Sequence, residues 1–264
     1  VREGLVKILH KEGAVLVDRT TSINTATNTV CGVVTSFSEF ATASTTATHL
    51  EVTTAPQSVT AGYVSNVVTV EAKDNNGATD TGYSGTVNVS SNSATLRLDT
   101  IPAGTFLGGT LAISMTNGVG SFYFKDTTKG TPTITVTDAA AVLTSISQQE
   151  TVLADVPTGT ITLTPAPSSI VADGVSTSTV TSGVIRDVYG NSVENGTLIT
   201  VATDRGTITT ADASGAYAGI QVATVNGVIS FTVQSSTTVG TANVTAASVQ
   251  GSASGSTQIT FIPV

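Results

Sequence analysis

Catalysis by a nucleophile or a metal asks for histidine, cysteine or clustered acids at set spacings, and this chain supplies few of them. His10 and His49 are the only histidines among 264 residues. His10 ends a strand-like run and His49 opens one, so solvated or half-buried edge positions account for both. No Gly-x-Ser-x-Gly elbow and no metal-spaced histidine pair occurs. The chain reads as no enzyme.

Oxygen ligands are better represented. Asp74-Asn75-Asn76-Gly77-Ala78-Thr79-Asp80 spaces them somewhat like a calcium loop, but without the bidentate Glu or the number of acids such a loop uses. Asp187 with Asn191 is a second version, and a metal clamp from Glu150 and Asp155 is thinner still. Ordinary Asn-Gly turns account for these residues, so no metal and no cofactor is expected. Asn88-Val89-Ser90, Asn195-Gly196-Thr197 and Asn243-Val244-Thr245 fit the glycosylation triplet, which a chain this rich in Ser and Thr produces by chance. Lys73 is the one strand-centre lysine that a Lys–Asn cross-link could use, and no such link is expected. Tyr63, Tyr83, Tyr189 and Tyr217 remain as loop aromatics; Tyr63 and Tyr83 could line one end of a module, although a tyrosine packed over a loop is the commoner case. Cys31 is the single cysteine. It leaves three readings: a buried free thiol, a half-cystine whose partner lies upstream of Val1, or an intermolecular bond.

The elements that would position these residues follow from a pattern that occurs twice. Ala55-Pro56 recurs as Ala166-Pro167, Lys73-Asp74-Asn75-Asn76-Gly77 as Arg186-Asp187-Val188-Tyr189-Gly190, and Asn117-Gly118-Val119-Gly120-Ser121-Phe122 as Asn226-Gly227-Val228-Ile229-Ser230-Phe231. The offset, about 110 positions, is the length of one immunoglobulin-like sandwich. Around the Asn-Gly pairs, Leu111, Ile113 and Met115 alternate into Phe122 and Phe124, and Ile220 and Val222 into Ile229, Phe231 and Val233, which is hairpin patterning with these side chains in the core. Val67 to Ala72, Val87 and Val89, Val180 to Ile185, Leu198 to Val201, and residues 132–137, 142–147, 240–246 and 257–262 read as further strands. Each copy is expected to hold about seven short strands, with Gln149 to Gly159 as the linker between the copies.

Composition agrees. Only 11% of residues are charged, mean hydropathy is +0.27, and Ser with Thr make up roughly three residues in ten. Stiff β-branched side chains favour strands, and no helix is expected. The formal charge of −8 falls almost equally on the two copies, while residues 1–45 balance at zero. Neither copy offers the basic face that nucleic acid or an anionic membrane needs. The longest apolar run, near Ala139 to Leu143, is far shorter than the roughly 20 residues of a membrane helix, so no membrane insertion is expected. The start at Val1, with Met115 the only methionine, suggests a chain that begins inside a longer precursor or after processing.

Residues 1–45 differ in kind. They offer three strand-like runs, Leu5 to His10, Ala14 to Thr20 and Val30 to Phe37, too few to close a sandwich. The apolar positions Leu5, Ile8, Val15, Val17, Val33 and Phe37, with Cys31, are the candidate assembly surface. Two readings stand: the end of a domain whose start lies upstream, or a sheet completed by another subunit.

By Val171-Ala172-Asp173-Gly174, Ile185-Arg186-Asp187-Val188-Tyr189-Gly190-Asn191 and Asn226-Gly227-Val228-Ile229-Ser230-Phe231-Thr232-Val233, the chain resembles bacterial immunoglobulin-like domains of the invasin and intimin type. The resemblance is strongest over 160–262, with a divergent copy over 49–148. Residues 1–45, ending Cys31-Gly32-Val33-Val34-Thr35-Ser36-Phe37, look similar to the closing strands of a sandwich in large secreted bacterial proteins. Such a resemblance implies surface stalks, adhesins, repeat arrays or spacers in secreted enzymes. Its motif residues are turn glycines and core positions, so no binding residue carries over.

The expected fold is therefore all-β: tandem immunoglobulin-like β-sandwiches in an elongated array, preceded by a partial β-sheet segment, with domains at 1–45, 46–154 and 155–264. The expected function is an extracellular bacterial structural or surface protein, a stalk or filament segment acting through protein–protein assembly, including self-assembly into a fibre. The rivals are an adhesin or carbohydrate-binding fragment of a larger surface protein, for which the sequence offers no glycan platform, and spacer modules of a secreted enzyme.

Overall fold

A computed structural model describes residues 6–36, 40–44 and 46–264. Among them every regular element is a β-strand, as the Thr- and Val-rich composition requires. By compactness the chain divides into two units. The first is Val1–Val59 with Tyr63–Asp126 and Gly130–Thr151; the second is Thr60–Gly62 with Thr127–Lys129 and Val152–Val264.

In the first unit two four-stranded sheets share one core. One sheet orders Arg97–Asp99, Val119–Lys125, Val68–Lys73 and His49–Val52; the other orders Leu111–Ser114, Thr86–Ser91, Thr133–Asp138 and Ile146–Gln149. Period-two alternation turns Val68, Val70 and Ala72 inward and leaves Val67 exposed. Phe122 sits opposite Val68, and Gly120 opposite Val70. An added Cβ at Gly120 would lie 2.6 Å from the Met115 sulfur, so a larger residue there would have to displace that side chain. Phe122 and Phe124 are fully buried among Val87, Val89, Leu98 and Ile134, each ring contributing about 1.5–3 kcal/mol. The Asn117-Gly118 turn has φ of 51° and 75°, the two positive angles of a type I′ hairpin that Asn-Gly tolerates.

The second unit repeats the plan. Leu163–Ala166, Thr177–Ser182, Ser230–Gln234 and Thr207–Ile208 form one sheet, and Ser169–Val171, Ser254–Ile262, Gly240–Ser248, Leu198–Thr203 and Ile220–Ala223 form the other. Ser169–Val171 runs parallel to Ser254–Ile262, while the remaining ladders of these two sheets are antiparallel. Phe231, Phe261, Ile199, Ile229 and Ile259 fill the core, and Asn226-Gly227 closes the matching hairpin with φ of 51° and 76°.

Three expected elements move. The strand sought at 142–147 is Ile146–Gln149, because the Asp138 carboxylate accepts the N–H groups of Ala140, Val142 and Leu143 and folds that stretch into a turn. The strand sought from Val180 to Ile185 is Thr177–Ser182. Its buried serines are satisfied: Ser178 Oγ donates to Pro167 O and Ser182 Oγ accepts Ile229 N–H. The linker from Gln149 is also part of the structure, since Thr151–Leu153 pairs with Ser58–Thr60. Buried Glu150 secures it by accepting Gln57 N–H at 2.5 Å and Gln148 Nε2 at 2.7 Å.

The N-terminal stretch holds more strands than expected. Val6–Glu12 is the middle of a three-stranded sheet, flanked by Val15–Asp18 and Phe40–Ser44. Thr20–Asn24 and Thr29–Gly32 form a separate ribbon beside it. The unanticipated strands, Thr20–Asn24 and Phe40–Ser44, are rich in Thr, Ser and Ala and carry almost no apolar alternation.

Candidate functional site

The loop that suggested calcium ligation spends its oxygens inward. Asp74 Oδ1 accepts the N–H groups of Asn76 and Ala78, both at 2.9 Å, while Asp74 O accepts Gly77 N–H at 3.1 Å. This is a turn in which an aspartate substitutes for backbone. Asp187 builds the same turn, its Oδ1 accepting Tyr189 N–H at 2.9 Å and Asn191 N–H at 2.8 Å. The copies diverge at the second oxygen. Asp187 Oδ2 accepts Asp155 N–H at 3.0 Å and Asn191 Nδ2 at 2.8 Å. Asp74 Oδ2 is buried with no hydrogen-bond partner, and the residue in the Asn191 position is Ala78. Among the described residues no group of three or more His, Cys, Asp or Glu is arranged to hold a metal ion.

Other candidates have structural partners. Lys73 Nζ pairs with Glu71 at 2.6 Å and with Thr79 Oγ1 at 3.1 Å, and the Lys73 contact holds the Glu71 carboxyl below its ordinary range. Tyr83 and Tyr63 do not pair as a ligand platform: the Tyr83 hydroxyl donates to Asp138 Oδ1 at 2.7 Å and its ring packs on the core, while Tyr63 is exposed. Burial pushes the Asp138 carboxyl up, but the Tyr83 hydroxyl and the Val142, Leu143 and Ala140 N–H groups outweigh it and the net shift is downward. His49 is half-buried at the start of its strand, as expected. His10 is a correction, for it is only 1% exposed. It lies on the central strand between Val17 and Phe40, so two neighbours cover a position read as an edge. Its Nδ1 is 3.3 Å from Glu12 Oε1, the oxygen that also accepts Arg19 Nε at 2.6 Å.

Of the candidate assembly residues, Val15 is 62% and Val33 71% exposed, and neighbouring Leu16 is 50% exposed. Ile8 and Val17 are half-buried. Cys31 is free and exposed, not buried. Leu5 and Phe37 lie outside the described residues. Register places Val15 opposite Glu12 and Val17 opposite His10, while Cys31 sits opposite Ser22 on the separate ribbon. The structure thus brings Ile8, Val15 and Val17 into one sheet and, among the described residues, leaves Val15–Asp18 on its outer edge. Two ion pairs of this sheet, Lys7–Asp18 at 3.1 Å and Glu12–Arg19 at 2.5 Å, are exposed, where solvent and salt screen them.

Sequence reasoning missed how the segment entering the second unit is held. Glu194 Oε1 accepts Ala154 N–H at 2.9 Å, Asp187 Oδ2 accepts Asp155 N–H, and Arg186 O accepts Thr158 N–H at 2.9 Å. The Asp-x-x-Gly repeat was visible, but no local signal ties it to an amide 32 positions upstream.

No protein-family model matches the chain and no curated protein does. Among solved structures it is similar to FdeC, an Escherichia coli adhesin, with 17% identity, 84% of this chain and 68% of that one covered, and a TM-score of 0.53. It is also similar to InvD of Yersinia pseudotuberculosis, at 21% identity over 78% of this chain and 55% of that one, with a TM-score of 0.48. Invasin, a bacterial integrin-binding protein, aligns at 22% identity over 81% of this chain with a TM-score of 0.36, and the chain spans only 39% of its length. The likeness to FdeC shows the fold, that of bacterial immunoglobulin-like β-sandwiches.

Proposed function

We propose that this chain is part of an extracellular bacterial surface protein in which immunoglobulin-like modules at 46–154 and 155–264 act as stalk or filament segments and residues 1–45 join one subunit to the next. One observation carries the reading. Among the described residues Val15–Asp18 is an edge strand, with Val15 and Leu16 exposed, and an edge with unpaired N–H and C=O groups beside apolar side chains is a template for another chain. Such a head-to-tail contact need not close, so it extends into a fibre. The adhesin character of FdeC, whose fold this chain shares, supports a cell-surface setting.

Light scattering on the intact chain and on a deletion of residues 1–45 tests the proposal. Larger species are expected from the intact chain and only monomer from the deletion. A monomeric intact chain, or assembly that survives the deletion, overturns it.

A further inference from the structure

A cleft of about 320 Å³ lies in the second unit, lined by Asp155, Pro157, Thr197, Tyr217, Val249 and Gln250 among others. That volume is at the lower end of the ~300–1,000 Å³ usual for small-ligand sites. Its walls are fixed by backbone bonds: Ala154 and Asp155 are held by Glu194 and Asp187, Gly196 N–H donates to Thr224 O at 2.9 Å, Val249 N–H to Leu198 O at 3.0 Å, and Ser252 N–H to Pro157 O at 2.9 Å. Tyr217 stands on the connection between Thr207–Ile208 and Ile220–Ala223 and is 45% exposed. The base of that connection is anchored, because Asp212 Oδ1 accepts Ser214 N–H at 3.1 Å and Gln221 N–H at 2.9 Å. Fully buried Gln221 also donates its Nε2 to Ala218 O at 3.0 Å, beside Tyr217. An aromatic ring is thus presented at the rim of a cleft whose walls are already ordered, which lowers the entropy cost of capturing a ligand.

From this arrangement we infer that the cleft binds a neutral sugar ring. The charge count selects the ligand class. Glu194 uses Oε1 on Ala154, and its Oε2 is matched at 3.0 Å by Lys129, which belongs to the same unit. Asp155 is then the one uncompensated carboxylate of the lining, with Oδ1 accepting Val156 N–H at 2.8 Å. A cationic ligand would be drawn by several unmatched acids. A pyranose instead carries an apolar C–H face and a rim of hydroxyls. The face lies on Tyr217, as apolar bodies lie on aromatic rings. The rim hydroxyls donate to the second oxygen of Asp155 and exchange bonds with the Gln250 amide and the Thr197 hydroxyl. The site is independent of the assembly surface, and its failure would leave that reading standing.

The test uses the full chain and a panel of methyl glycosides of glucose, galactose, mannose and N-acetylglucosamine at millimolar concentration, followed by saturation-transfer NMR. Saturable binding of at least one is expected, with transfer strongest to the ring C–H protons. Tyr217→Ala should weaken it by about tenfold or more, while Tyr217→Phe, which keeps the ring, should hold it within about threefold. Asp155→Asn should weaken it while leaving the melting temperature near that of the unaltered chain, because the clamp on residue 155 uses its backbone N–H. Tyr217→Ala should leave the light-scattering mass unchanged. No binding by any glycoside, binding that Tyr217→Ala does not alter, or saturation by choline in place of the sugars would each overturn the inference.

Discussion

Asp74 and Asp187 occupy one position in two copies of one plan, and their second oxygens meet different fates. A buried carboxylate oxygen without a donor forfeits a bond of about 0.5–1.5 kcal/mol or more, larger when charge is involved. Ala78→Asn should supply the donor as Asn191 does for Asp187, and so raise the stability of the first unit by about 1 kcal/mol in urea unfolding at unchanged slope. Asp138 gives a pH-dependent counterpart. Its carboxyl is held below the ordinary range near 3.9. A group with a lowered folded pKa contributes stability that is complete above its unfolded value and lost as pH falls through the folded one. Melting temperature should therefore drop below about pH 4, and Asp138→Asn should flatten that limb. At neutral pH the same substitution should cost about 1–3 kcal/mol, because the amide keeps a single acceptor oxygen for the Tyr83 hydroxyl and the Ala140, Val142 and Leu143 N–H groups, measured by chemical unfolding at pH 7.

At the scale of the strand, burial of the two hairpin aromatics decides register. Phe231 lies opposite Val180 and is almost fully buried, so Phe231→Ala should cost about 3–5 kcal/mol; a calorimetric loss below about 1 kcal/mol would contradict the packing. Strands with this alternation were legible in the sequence: Val68 to Ala72, Val87 with Val89, Phe122 with Phe124, and the Asn-Gly turns all stand where the residues place them. Strands that bury serine or alternate threonine with alanine were not. Thr177–Ser182 hides two inward hydroxyls that look like surface residues until Pro167 O and Ile229 N–H are brought to them. Thr151–Leu153 depends on a buried Glu150 whose partners, Gln57 and Gln148, include one 93 positions away. His10 was misplaced because Phe40–Ser44, which makes its strand central, has no periodicity of its own. The cleft was beyond reach for the same reason: Tyr217 could be named as a loop aromatic, but Asp155, Thr197 and Gln250 meet it only through the fold.

For the whole chain, each sandwich has its own core and its own sheets, so 46–154 and 155–264 expressed separately should each melt cooperatively. The boundary at 154 matters, because a fragment ending at 148 would lose Thr151–Leu153 from Ser58–Thr60 and the Glu150 anchor with it. The second unit also has a property that no equilibrium melt would reveal. Its early strand Ser169–Val171 runs parallel to its last, Ser254–Ile262, with Ser169, Ile170 and Val171 opposite Thr260, Phe261 and Ile262. Parallel neighbours pulled from the start of one and the end of the other slide past each other along their length, and their hydrogen bonds bear the load together instead of parting one by one. Pulled from its two ends, the second unit would load that pair in shear, and it should hold its length under tension until the short ladder gave way as a unit.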